Sequence, residues 1–252
     1  MKRLLLSLVL AGICLQVRAE VLTVAVASNF TAPMKDIAAA FEQRTGHRLR
    51  LAFGSSGKFY AQIRHGAPFQ VFFSADTAKP KALEVAGLAV AGSRFTYAVG
   101  RLALWSADKH LVDGSSAVLA HGDYHKLALA NPRLAPYGAA AVEVLRNLGL
   151  EQATKPRWVQ GENIAQTCQY VASGNAELGF VALSQIQHEG RVERGSAWIV
   201  PAALYQPIRQ DAVLLAGGEN SPGARALLDF MRGEQARAII ESYGYLTGHG
   251  AP

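Results

Sequence analysis

The feature that most constrains this chain is a repeated alternation of short apolar runs with amphipathic stretches that stop at glycine. Residues 21–27 (VLTVAVA) form a continuous apolar run, the pattern of a strand buried on both faces. A helical pattern follows, with Ile37, Ala40 and Phe41 on one face, and it stops at Gly46. Residues 49–53 read as the next strand, and a helix through Tyr60 and Ile63 closes at Gly66. Residues 71–74 read as a third strand and 81–86 as a short helix stopped by Gly87. A βαβαβα order of this kind builds a parallel sheet with helices on both faces.

The second half repeats the alternation. Strands are expected over 126–130, 157–160, 178–183, 198–200 and 212–216. Helices are expected over 137–148 and 164–172, with one or two more over 222–243. Two α/β lobes of roughly 110 residues each suit this length better than one sheet. Residues 95–105 and 207–215 are long, extended and apolar, and they read as two crossings between lobes. The first lobe is then discontinuous, residues 20–99 with 212–252, and the second spans 100–211. Two crossings without a long linker allow a hinge. A single-lobe enzyme of the flavodoxin or hydrolase kind is the alternative on pattern alone.

Residues 1–19 stand apart from this pattern. Lys2 and Arg3 precede an apolar run over 4–15, and Val17-Arg18-Ala19 places small residues where a signal peptidase reads. The segment reads as an export signal cleaved before Glu20, so the mature protein is expected to be exported. The run is too short for a membrane anchor, which needs about 20 residues. Leu10-Ala11-Gly12 resembles a lipid-attachment box, but Ile13 separates it from Cys14. Cleavage removes one of the two cysteines and leaves Cys168 alone, so stability must come from packing rather than an internal disulfide.

Composition narrows the function. The chain of 252 residues is half hydrophobic and 17% charged, far from a disordered composition. The formal charge of +6 includes Lys2, Arg3 and Arg18 of the leader, and the remaining basic residues form no run or basic helix. Nucleic-acid binding is not expected, and a monomer without cofactor or directly ligated metal is.

In open parallel sheets, ligands bind beyond the carboxyl ends of the strands. There the chain places Ser28-Asn29-Phe30-Thr31, Gly54-Ser55-Ser56-Gly57-Lys58, Asn131-Pro132 with Ala135-Pro136-Tyr137-Gly138, and Gly161-Glu162-Asn163-Ile164. Small hydroxyl and amide residues at helix starts are the chemistry of an anion cradle, since helix N-termini offer unpaired N–H groups and a positive dipole end. The plainer role for each serine is an N-cap, worth about 1 kcal/mol. Two serines on adjacent strands, facing Tyr137 and Ile164, favour a site.

Competing motifs fall short. Gly54–Lys58 lacks the spacing of a phosphate loop, and Ser56 lacks the G-x-S-x-G frame of a hydrolase elbow. A serine esterase using Ser56 with His65 or His121 remains the enzymatic alternative. His121 and His125 bracket Asp123 at metal-clamp spacing, but Gly122 marks a loop and surface histidines. Asn29-Phe30-Thr31 matches a glycosylation sequon, although a glycan there would block the cleft. Cys168 reads as core, and Asp76 as the cap of the next helix.

These segments resemble the periplasmic molybdate-binding proteins of bacterial molybdate ABC importers, over nearly the whole mature length. The matching stretches are 24–32 (VAVASNFTA), 53–63 (FGSSGKFYAQI), 66–76 (GAPFQVFFSAD), 131–141, 161–164, 176–185 (AELGFVALSQ), 232–236 and 243–245. The resemblance implies a two-lobe, type II periplasmic binding fold, each lobe a mostly parallel sheet flanked by helices. It also implies molybdate or tungstate in the cleft and a membrane permease as partner. Carried over by position, it implies Ser28 and Ser56 as hydroxyl and N–H donors, Asn29 as a further ligand, and backbone N–H groups at Tyr137 and Ile164. Some members supply a tyrosine hydroxyl where this chain has Ala182, and Tyr137 or Asn29 is expected to replace it. The segments offer donors and, apart from Glu162, no acidic group, which suits a fully deprotonated dianion, so sulfate remains the alternative and phosphate, which carries a proton, is disfavoured.

Overall fold

The computed structural model describes residues 19–122 and 124–248. The expected leader, Cys14 included, lies outside the described residues except for Ala19, and so does Asp123.

The chain opens with β1 (Val21–Ala27), a 3-10 turn over Ser28–Phe30 and α1 (Thr31–Thr45). Then come β2 (Arg48–Gly54), α2 (Ser56–Arg64), β3 (Val71–Phe73), α3 (Ala78–Val85) and β4 (Phe95–Gly100). The chain passes at Arg101 into β5 (Leu102–Ser106), α4 (Ala117–His121), β6 (Leu127–Ala130), α5 (Pro136–Asn147), α6 (Glu151–Thr154) and β7 (Trp158–Gly161). Next are α7 (Ile164–Ala172), β8 (Leu178–Ala182), the short β9 (Gln187–His188) and β10 (Arg191–Val192), and β11 (Ser196–Ile199). It returns through β12 (Ile208–Leu214) to α8 (Pro222–Arg232) and α9 (Glu234–Ser242).

Two five-stranded sheets result, ordered β2-β1-β3-β12-β4 and β11-β5-β8-β6-β7. Both are mixed. The β1–β2, β1–β3, β6–β7 and β6–β8 pairings are parallel, whereas the strands that carry the chain between sheets, β4, β5 and β12, pair antiparallel. A strand that arrives straight from the other lobe lacks the crossover helix that parallel pairing requires. β12 joins the first sheet from Ile208, which lies opposite Gly100. Strand pairing thus places residues 208–211 and Gly100 in the first sheet.

Each lobe has its own core. In the first, Phe30, Ile37 and Phe41 from the α1 side meet Val24 and Phe73 of the sheet and Leu227 and Ile240 of α8 and α9. In the second, Leu104, Leu129 and Phe180 of the sheet meet Ala141, Val144 and Leu145 of α5. Each such fully buried large side chain contributes roughly 1.5–3 kcal/mol. Strand register then fixes where the loops emerge. Ala27 is level with Gly54, Val26 with Phe73, and Ala130 with Gly161. The segments following β1, β2 and β3 therefore leave one edge of the first sheet, and those following β6 and β7 leave one edge of the second.

Candidate functional site

The two edges meet around a small cavity of about 10 Å³. Ser28, Asn29 and Ser56 line it from the first lobe, Tyr137 and Ile164 from the second, with Ser55, Ala75 and Pro136 between them. No charged residue is among its lining. All five residues singled out from sequence thus border one space.

The donors follow from helix geometry. Ser56 opens α2, Tyr137 is in the first turn of α5 and Ile164 opens α7, so their amides have no intrahelical acceptor. The cap of α2 is Ser55, whose hydroxyl accepts from the Lys58 amide at 3.3 Å. Ser56 is thereby released from capping, and its Oγ accepts from the Ala75 amide at 2.9 Å, leaving the hydroxyl hydrogen to donate. Asn163 caps α7 by accepting from the amides of Ala165 and Gln166, both at 3.0 Å. The Ile164 amide is left over. The Ser28 hydroxyl makes no hydrogen bond among the described residues. Macrodipoles of several helices point their positive ends at this space, which favours an anion.

Two side chains behave differently from the expectation raised by Ala182. The Asn29 Nδ2 group donates to Gln210 Oε1 at 2.8 Å and to the Tyr245 hydroxyl at 2.9 Å, so both of its hydrogens are committed. The Tyr137 hydroxyl accepts from Gln210 Nε2 at 3.1 Å and is also hydrogen-bonded to the Tyr245 hydroxyl. Both side chains are thus engaged inside the protein rather than with the cavity, as burial of their polar atoms requires. Asn29 and Tyr137 offer the cavity their backbone.

Behind the cavity lies a polar network that the sequence did not reveal. The Tyr245 hydroxyl donates to the Asn29 carbonyl oxygen at 2.9 Å, and Ser184 Oγ donates to the same oxygen at 3.0 Å. The Tyr97 hydroxyl donates to the Ser74 carbonyl at 3.1 Å and lies equally close to Gln210 Oε1. Among the described residues, every side-chain polar atom that is fully shut off from solvent has a partner. Burial pushes the phenols of Tyr97 and Tyr137 well above their ordinary value and that of Tyr245 up to about 12, so all three stay protonated at neutral pH. Ser184 and Tyr137 belong to the second lobe and the others to the first, so the network joins the lobes. At the cavity's outer side Lys58 and Glu162 form a half-exposed ion pair between α2 and the loop before α7.

The esterase alternative lacks its base. Ser56 has the Ala75 amide as its partner, whereas His65 lies at the far end of α2 and His121 at the end of α4. Among the described residues no cluster of histidine, cysteine or acidic side chains could hold a metal ion. No helix of the described residues is long and apolar enough to cross a membrane.

The chain is 54% identical to the molybdate-binding protein ModA of Azotobacter vinelandii, covering 97% of each chain. It is 50% identical to the protein of that name from Rhodobacter capsulatus, over 94% of this chain and 92% of the relative. Among solved structures, the Azotobacter vinelandii periplasmic molybdate-binding protein superposes with a TM-score of 0.88 at 43% identity, covering 90% of this chain and all of that one. The two mixed α/β sheets are those of a periplasmic binding protein fold. A model of the bacterial extracellular solute-binding proteins, which bind rather than transform their solutes, matches residues 22–246, and the chain belongs to that family.

Proposed function

We propose that this protein captures molybdate or tungstate in the periplasm and delivers it to the membrane permease of an ABC importer. The observation that carries the reading is the composition of the cavity. Ser28, Asn29, Ser56, Tyr137 and Ile164 surround it with hydroxyl and amide donors and no carboxylate. A carboxylate would be needed to accept the proton of monohydrogen phosphate, whereas a bare tetrahedral dianion needs donors alone. High identity to two molybdate-binding proteins over nearly the whole chain supports molybdate and the like-sized tungstate over sulfate.

In this reading the lobes rotate about two short crossings, at Gly100–Arg101 and just before Ile208. The anion is held by about six hydrogen bonds with a gross strength of roughly 1.5–3 kcal/mol each. Ordering and desolvation leave a net of roughly 8–12 kcal/mol, micromolar to nanomolar affinity. The protein acts as a monomer, exported by a leader that is removed before Glu20.

Calorimetric titration with molybdate, tungstate, sulfate and phosphate tests the assignment. Molybdate and tungstate should bind well, sulfate much more weakly and phosphate hardly at all near neutral pH. Equal affinity for sulfate and molybdate would overturn it.

A further inference from the structure

We propose that Gly57 is the stop that sets how far the two lobes close, a positioning residue whose missing side chain allows the anion to be gripped from both sides. The inference rests on the oxyanion-binding reading above. Gly57 lies in the first turn of α2, beside Ser56. Its amide donates to the Leu134 carbonyl oxygen at 2.9 Å, a backbone hydrogen bond from one lobe to the other. A Cβ on Gly57 would lie 2.9 Å from Leu134 Cα and 3.0 Å from the Leu134 carbonyl oxygen. Both are backbone atoms, so no rotamer change relieves the clash.

Neither wall can easily give way. Leu134 sits in a turn where the amides of Leu134 and Ala135 donate to the Asn131 carbonyl at 3.0 and 2.9 Å, and the Arg133 amide donates to Asn131 Oδ1 at 3.0 Å. Opposite, the Ser55 cap and the Ser56–Ala75 hydrogen bond hold the start of α2. The local backbone supplies no reason for glycine. Gly57 is absent from the positive-φ residues, and within a helix alanine is the better former. The reason lies on the facing lobe.

The position of this contact gives it a functional consequence. Gly57 follows Ser56, and Leu134 precedes Tyr137 by less than one helical turn, so their separation governs the distance between donors on opposite walls. Hydrogen bonds weaken steeply once that distance is exceeded. Other bridges between the lobes, Lys58 to Glu162, Gln210 to Tyr137 and Ser184 to the Asn29 carbonyl, use side chains that can adapt. A second backbone bond between the lobes, from the Glu189 amide to the Ser242 carbonyl, involves no residue that lines the cavity. Gly57 to Leu134 is backbone against backbone next to the donors themselves.

The test is Gly57→Ala in the mature protein, measured by thermal melting without ligand and by stopped-flow binding of molybdate. The variant should melt within about 2 °C of the parent, since the open form contains no clash. Association should stay within about threefold of the parent, and dissociation should speed up by roughly tenfold or more. Adding Leu134→Ala should recover no affinity, because the clashing atoms are backbone. Binding within about twofold of the parent overturns the proposal. So does a melt well below the parent, which would make Gly57 a requirement of its own lobe, and so does recovery in the double variant. A parent that does not bind molybdate removes the oxyanion reading itself, and this proposal with it.

Discussion

Ser56 Oγ accepts a hydrogen bond from the Ala75 amide at 2.9 Å, tying the start of α2 to the segment after β3 while its own hydrogen stays free for the cavity. Ser28 lines the same cavity with a hydroxyl that bonds nothing else among the described residues. The two serines therefore separate binding from stability. Ser28→Ala should weaken molybdate binding by about 10- to 150-fold, the loss of one charge-assisted hydrogen bond, and barely move the melting temperature. Ser56→Ala should lose similar affinity and also destabilise the fold by about 1–3 kcal/mol, because it strands the buried Ala75 amide. Calorimetry beside thermal melts of both variants checks this; equal melting temperatures would refute the anchoring role of Ser56.

Ile164 offers a backbone test. It opens α7 directly after the Asn163 cap, whose φ of −148° and ψ of 172° are extended, a conformation that tolerates a following proline. Ile164→Pro removes the N–H without breaking an intrahelical bond, so a folded protein that no longer binds molybdate is expected. Ile164→Val keeps the N–H and should bind almost normally, at a stability cost of about 0.5–1.5 kcal/mol. Circular dichroism and titration of the pair give the answer. A proline variant that still binds would remove Ile164 from the site.

The link through Ser184 predicts an effect at a distance from the anion. Its hydroxyl bridges the lobes by donating to the Asn29 carbonyl, beside Tyr245. Ser184→Ala deletes that bridge only in the closed form, so the unliganded melt should hold while dissociation of molybdate speeds up by about 2- to 12-fold. Stopped-flow release into excess chelator or competing tungstate measures it. An unchanged dissociation rate would mean that the bridge does not contribute to closure.

What was legible in the sequence follows from how local each signal is. β1 and α7 occupy the residues expected of them, since an unbroken apolar run and an amphipathic stretch that ends just before a glycine are short-range marks. Residues 207–215 were read as an extended crossing with a sheet strand only from 212, whereas β12 runs over Ile208–Leu214, because Arg209, Gln210 and Asp211 interrupt the apolar run that marks a buried strand. Gln210 and Asp211 are nonetheless fully buried, paid for by Asn29, Tyr97 and Tyr137 on one and Arg94 and Thr96 on the other. The cradle segments were visible as serine, asparagine and glycine at strand ends. The network behind them was not. Tyr245 and Asn29 are 216 residues apart, and Ser184 and Asn29 are 155 apart. No periodicity joins such positions, so the spent side chain of Asn29 could not be foreseen.

The buried phenols of that network predict how the fold fails in alkali. Burial pushes Tyr245 up to about 12 and holds Tyr97 and Tyr137 well above the ordinary value of 10.0. In the unfolded chain the same groups ionise near 10. Below that pH both states keep the proton, and these tyrosines add no slope to stability. Above it the unfolded chain has lost protons that the folded protein still binds, so stability must fall as pH rises through the window from about 10 to 12. Each tyrosine contributes about 1.4 kcal/mol per pH unit in that window. Thermal melts should therefore be flat from about pH 7 to 9 and drop steeply above 10. Tyr245→Phe should make the drop shallower by one tyrosine's share, although it also removes the hydroxyl that the Asn29 carbonyl accepts from. Phenolate absorbance supplies the independent check. If the folded protein develops the full absorbance of its tyrosines near pH 10, the network is open to solvent and does not join the lobes as a buried core.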